Sequence, residues 1–64
     1  MKTDARFIGK NGSCGLEHGK MYRIEIIDNR ENKHSRFNYR VFVGGVGIPY
    51  DTMTAIKKNW LIAS

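Results

Sequence analysis

Cysteine, proline and acidic side chains are scarce in this chain, and long apolar runs are absent. One cysteine among 64 residues excludes an internal disulfide, so packing alone has to hold the fold, and a reducing cytoplasm is the expected compartment. The longest apolar runs are a few residues, far short of the roughly 20 that a membrane-spanning helix needs. The opening "MKTDARFIGK" mixes charged and apolar residues instead of leading into an apolar core, so no secretory signal is expected. The lone proline, Pro49, fits only an edge or end of a strand. Repeats, low-complexity tracts and long linkers are missing, which leaves one small domain over residues 1–64.

Six acids stand against eleven lysines and arginines, giving a net charge of +5. That balance favours anionic partners: nucleic acid, nucleotides, an acidic protein surface or a membrane surface. The excess is local. "RENKHSRFNYR", from Arg30 to Arg40, carries four cations and His34 against the single acid Glu31. A 64-residue chain buries only about 60% of the surface it exposes when unfolded, so its core is thin. A deep cleft with a supporting second layer is hard to fit in that volume, whereas a binding surface needs far less. Size therefore favours a binding module over an enzyme.

Glycine, asparagine and aspartate cut the chain into short segments. "ARFIG", residues 5–9, reads as a short edge strand, and "GKNGSCG" as a loop whose glycines admit positive φ. "LEHGK" then makes a turn anchored by Leu16. "MYRIEIIDN", residues 21–29, alternates, with Tyr22, Ile24 and Ile26 on one face and Arg23 and Glu25 on the other. After the turn "NREN", the strand "SRFNYRVFV", residues 35–43, should place Phe37, Tyr39, Val41 and Val43 inward and Arg36, Arg40 and Phe42 outward. Gly44-Gly45 suits a two-residue hairpin turn into the short edge strand "VGIPY". Asp51 or Thr52 can cap a helix of about two turns carrying Met53, Ile56 and Trp60, with Lys57 and Lys58 in its last turn. "WLIA" returns as a final short strand.

Four or five short strands with one late helix cannot make a two-sided parallel sheet, but they can close a small barrel. Its expected core is Tyr22, Ile24, Ile26, Tyr39, Val41, Val43, Ile56 and Trp60, with Leu16 and Ile48 at the ends.

Gly15, Leu16, Gly19, Lys20 and Tyr22, followed later by Pro49, Tyr50, Asn59 and Trp60, resemble the shared pattern of small SH3-like barrel proteins encoded by phages and prophages of Gram-positive bacteria. The resemblance spans most of the chain except the basic middle hairpin. It implies a mainly β, SH3-like barrel of about five strands with a short C-terminal helix, and action inside the bacterial cytoplasm. It implies no activity.

The glycine-rich stretch "NGSCGLEHGKMYRIEI" needs a chemical reading as well. A phosphate loop requires four residues between its glycine and the Gly-Lys; Gly15 and Gly19 leave three, Met21 replaces the metal-binding hydroxyl, and a strand follows instead of a helix. Cys14, His18 and His34 are too few and too scattered for a structural zinc site. Cys14 with a histidine base lacks the third, orienting group of a nucleophilic site. Asp28, Glu31 and Glu25 have the spacing of surface charges. No catalytic residue, metal or cofactor is expected.

The basic surface is what is left. Arg23, Arg36 and Arg40 should face outward, Arg30 and Lys33 should extend the patch into the hairpin, and Phe42 is the one aromatic expected outside. Such a face can neutralise phosphates without reading sequence. Single-strand binders usually add exposed aromatics, and only Phe42 serves here. The expectation is therefore an accessory protein that binds a host or phage protein through this face, with nucleic-acid binding through the same cations as the alternative.

Overall fold

The computed structural model describes residues 1–62. Five strands, β1 (Lys2–Phe7), β2 (Met21–Asp28), β3 (Tyr39–Val43), β4 (Val46–Tyr50) and β5 (Trp60–Ile62), form one antiparallel sheet in the order β4-β3-β2-β1-β5. Helix α1 (Met53–Asn59) joins β4 to β5, and a single 3-10 turn (Ser13–Gly15) interrupts the first loop. The architecture is mainly β with one short helix near the C-terminus.

A flat five-stranded sheet would set its outer strands about 19 Å apart at the usual 4.8 Å spacing. Here the indole N–H of Trp60 on β5 donates to the hydroxyl of Tyr50 on β4 at 3.1 Å. The two ends of the strand order are joined, so the sheet curls into a barrel-like shape, with α1 packed against both end strands. Thr52 caps that helix, its Oγ1 accepting the Ala55 N–H at 3.1 Å. Such a cap contributes about 1 kcal/mol.

The alternation read in β2 holds. Ile24 and Ile26 are buried opposite Val43 and Val41, while Arg23 and Glu25 face away. Val41, Ile56 and Trp60 are sealed from solvent, and the Phe7 ring meets Trp60 edge-on at 5.0 Å. Leu16 is buried as expected, and Tyr22 and Ile48 lie partly buried against the core. Ala5 and Phe7 also belong to the core, which the sequence reading left out.

Three boundaries differ from expectation. The first strand starts at Lys2 and is interior, not an edge, because β5 returns along it and pairs Phe7 with Trp60. The third strand starts at Tyr39, not residue 35. Polar side chains take over its first residues: Asn32 Oδ1 accepts the His34 N–H at 3.0 Å, and Ser35 Oγ donates to the Phe37 carbonyl at 2.7 Å. These local bonds offer the backbone an alternative to the ladder. The last strand covers Trp60–Ile62; the expected Ala63 lies outside the described residues.

The tight hairpin forms as read, with Gly44 at φ 52° and Gly45 at φ 86°, the two positive values that its turn requires. Counting from that turn, alternate pairs of β3 and β4 exchange hydrogen bonds, which puts Arg40 and Pro49 in a non-bonded pair. Pro49 therefore costs no ladder bond to β3, and it removes a donor from the open edge of β4.

Candidate interface on the outer sheet face

Side chains that leave the core side of β2 and β3 form the outer face. Arg40 lies opposite both Ile27 and Pro49, and Phe42 lies opposite both Glu25 and Gly47. The missing side chain at Gly47 shapes this surface. A Cβ there would sit 3.0 Å from Phe42 Cε1 and 3.1 Å from Arg40 Cδ. The aromatic ring and the arginine stem thus lie side by side over the β4 backbone, and Phe42 keeps 38% of its surface exposed.

Residues 29–38 close the other side. The Asn29 N–H donates to the Asn38 carbonyl at 2.7 Å, and turns at Asn32 and Ser35 fold the segment back on itself. Between this loop and the sheet runs a groove of about 510 Å³, where Ile27, His34, Arg36, Phe37, Arg40 and Phe42 come together. Among the described residues no carboxylate lines it.

Phe37 corrects the sequence reading. Strand alternation assigned it to the core with Tyr39 and the valines. Because the strand has not begun at residue 37, parity does not govern its direction; it is half-buried and faces the groove. Tyr39, the first residue of β3, is buried as expected.

The cations assigned to the face separate into two groups. Arg23 points outward, but its Nη1 lies 3.5 Å from Asp4 Oδ1, its partner across the β1–β2 ladder. Arg30 is held more firmly. Its Nη2 donates to Asp28 Oδ2 at 2.7 Å, its Nε to both carboxylate oxygens at 3.0 Å, and its guanidinium sits over the Tyr39 ring at 5.5 Å. Those hydrogen bonds from Arg30 hold the Asp28 carboxyl below its ordinary value, and the Asp28 hydrogen bond in turn raises Arg30. Neither Arg23 nor Arg30 lines the groove, so the expected stripe is broken. Arg36 and Arg40 do line it, and among the described residues neither has an ion pair. Lys33 is exposed in the same loop. The Nε of half-buried Arg40 is covered and has no hydrogen-bond partner.

The glycine-rich stretch behaves as a bend. Gly12, Gly15 and Gly19 have φ of 84°, 77° and 86°, and His18 ties the loop together, its Nδ1 lying 2.8 Å from the Gly9 carbonyl. Cys14 is exposed at φ 52°. It borders a second, apolar groove with Leu16, Tyr22, Val43, Val46 and Ile48, whose one charged neighbour, Arg23, is already paired with Asp4.

These features define a class: a small, barrel-like antiparallel β protein with a cationic and aromatic groove on its outer sheet face. A scan against family models and searches of curated proteins and of solved structures find no match. No helix among the described residues is long and apolar enough to cross a membrane.

Proposed function

We propose that this protein is a non-enzymatic binding module, a phage or prophage accessory acting in the bacterial cytoplasm, that takes an acidic partner in the outer groove. One observation carries the reading: Arg36 and Arg40, with no ion pair among the described residues, share a groove with Phe37 and Phe42. Guanidinium groups beside accessible aromatics are the side chains that dominate both protein hot spots and single-strand binding surfaces. The Gly-Leu-x-x-Gly-Lys-x-Tyr resemblance supports the phage origin, and a lone exposed cysteine suits a reducing cell interior.

The sequence, with Phe42 as its one expected outer aromatic, favours a protein partner. Phe37 on the outer side supplies a second ring and shifts the balance to nucleic acid. An acidic protein surface is the second reading, supported by Ile27 as an apolar centre inside a cationic rim.

Amide chemical shifts followed by NMR, with polyglutamate or mixed-sequence oligonucleotides added at low salt, test the assignment. Shifts concentrated in residues 34–42, and weak around Asp4 and Arg23, are expected. Spectra unmoved by either polyanion would remove the groove as a binding site.

A further inference from the structure

We infer that the groove takes a single strand of nucleic acid, with Phe42 stacking on a base and Arg36 and Arg40 holding the flanking phosphates. This rests on the outer groove being the binding site, and it names the ligand that the groove fits.

Charge sets the first limit. With Arg23 and Arg30 held by Asp4 and Asp28, the cations left for a ligand are Arg36 and Arg40 in the groove and exposed Lys33 in the loop that closes it. Proteins that hold duplex DNA by charge use roughly six to ten phosphate contacts. Three cations give only a fraction of that affinity, so the rest has to come from contacts a duplex does not offer. The apolar part of the groove provides them. Phe42 packs over Gly47 on one side and stays 38% exposed, and Phe37 and Ile27 lie in the same groove.

Each candidate ligand uses a different share of this surface. A duplex brings phosphates but hides its base faces within the stack. An acidic peptide brings carboxylates to the guanidinium groups but gives the rings little to stack on. An unpaired strand brings phosphates and open base faces together, and stacking on aromatics tolerates any base. The Arg40 stem lies beside the Phe42 ring over Gly47, so a base on the ring puts its own phosphate next to the guanidinium.

Fluorescence anisotropy with labelled oligothymidylate, oligouridylate, a duplex of equal length and polyglutamate tests this. The single strands should bind roughly tenfold or more tightly than the duplex. Phe42→Leu, which still covers Gly47, should weaken single-strand binding roughly tenfold, and Phe42→Tyr should restore it. Arg36→Ala with Arg40→Ala should flatten the slope of log affinity against log salt by about 1.4, at about 0.7 per phosphate. A thermal melt of each variant checks that it is folded. Equal binding of single strand and duplex, or indifference to Phe42→Leu in a folded variant, overturns the inference. Preferential binding of polyglutamate, lost in the arginine variant, overturns it while leaving the groove as the binding site. Absence of binding by every probe at low salt overturns both.

Discussion

Tyr50 and Trp60 sit at opposite ends of the strand order and are joined by a hydrogen bond of 3.1 Å from the indole N–H to the phenol oxygen. Trp60 is 1% exposed, so this acceptor is what its buried donor depends on. Tyr50→Phe should cost about 1–3 kcal/mol, the usual penalty for a buried donor left unpaired. In a domain this small that is a fall of about 4–8 °C in Tm per kcal/mol, readable by calorimetry. Burial also raises the Tyr50 pKa above its ordinary value of 10.0. Above that pH the unfolded chain loses the phenol proton while the folded chain keeps it, so stability falls as pH rises towards the folded value. Denaturant melts from neutral to alkaline pH should show a shallower decline for Tyr50→Phe than for the parent. An identical decline would mean that Tyr50 is not the titrating group.

The glycines of the first loop serve two different physical needs, and substitution separates them. A Cβ on Gly9 would lie 2.5 Å from Asn59 Oδ1 and 2.6 Å from Cζ of the buried Phe7 ring. Neither neighbour yields easily: Phe7 is core, and the Asn59 amide donates to the Ala55 carbonyl at 2.8 Å. Gly9→Ala should therefore cost the upper part of the roughly 1–3 kcal/mol typical of overpacking. Gly19 has open space around it but φ 86°, so Gly19→Ala should cost about 1–2 kcal/mol of backbone strain. D-alanine introduced by chemical synthesis tells them apart: it should be harmless at 19, where φ is positive.

What could be read from sequence divides along the same physical line. Ile24, Ile26, Val41 and Val43 are placed correctly because a half-buried strand enforces period 2, and that period is written in residue order. The Gly44-Gly45 turn, and a helix cap at Asp51 or Thr52 that the structure gives to Thr52, are legible because their conformations demand particular side chains. Strand pairing is not written locally, so the interior position of β1 and the core roles of Ala5 and Phe7 were missed. Phe37 was misassigned because alternation was carried through a segment that is not a strand. The signal against it was present: Asn32 and Ser35, one to either side of two exposed polar residues, are side chains that capture nearby backbone groups. The loss of Arg23 and Arg30 to Asp4 and Asp28 has a mixed origin. The Asp28–Arg30 spacing was visible, but the Asp4–Arg23 pair exists only through the β1–β2 register.

Gly47 tests how the groove is shaped without touching a charge. In Gly47→Ala the new methyl would meet Phe42 Cε1 at 3.0 Å and Arg40 Cδ at 3.1 Å. Both atoms belong to side chains that face outward, so they can swing aside, and the cost in stability should stay below about 1 kcal/mol, under the usual overpacking range. The displacement itself should be plain in NMR, as changed Phe42 ring shifts and altered contacts between that ring and residue 47. Binding of oligothymidylate should weaken, because the ring and the guanidinium no longer lie side by side. Unchanged ring shifts would show that Phe42 does not rest on Gly47 in solution.

Asp28 is the acid that keeps Arg30 out of the binding surface, and it can be neutralised while keeping its shape. Its Oδ1 accepts the Arg30 backbone N–H at 3.0 Å, a bond that asparagine preserves. Asp28→Asn therefore leaves the start of the loop intact, raises the net charge by one and frees the Arg30 side chain. Polyanion binding should tighten, and its salt slope should steepen by about 0.7 if Arg30 reaches one further phosphate. The parent protein offers the same release through pH. Since the Asp28 pKa is lowered from 3.8, its pairing contributes stability above that value, and the contribution is lost as pH falls through the lower, folded value. A carboxyl carbon titration by NMR should give Asp28 a midpoint below 3.8 in the parent and a higher one in Arg30→Gln, where the side-chain bonds are lost and the bond from the backbone N–H of residue 30 remains. If Asp28→Asn leaves the salt slope unchanged while the carboxyl midpoint is depressed as expected, the Asp28–Arg30 pair is purely a loop brace and the binding surface ends at Lys33.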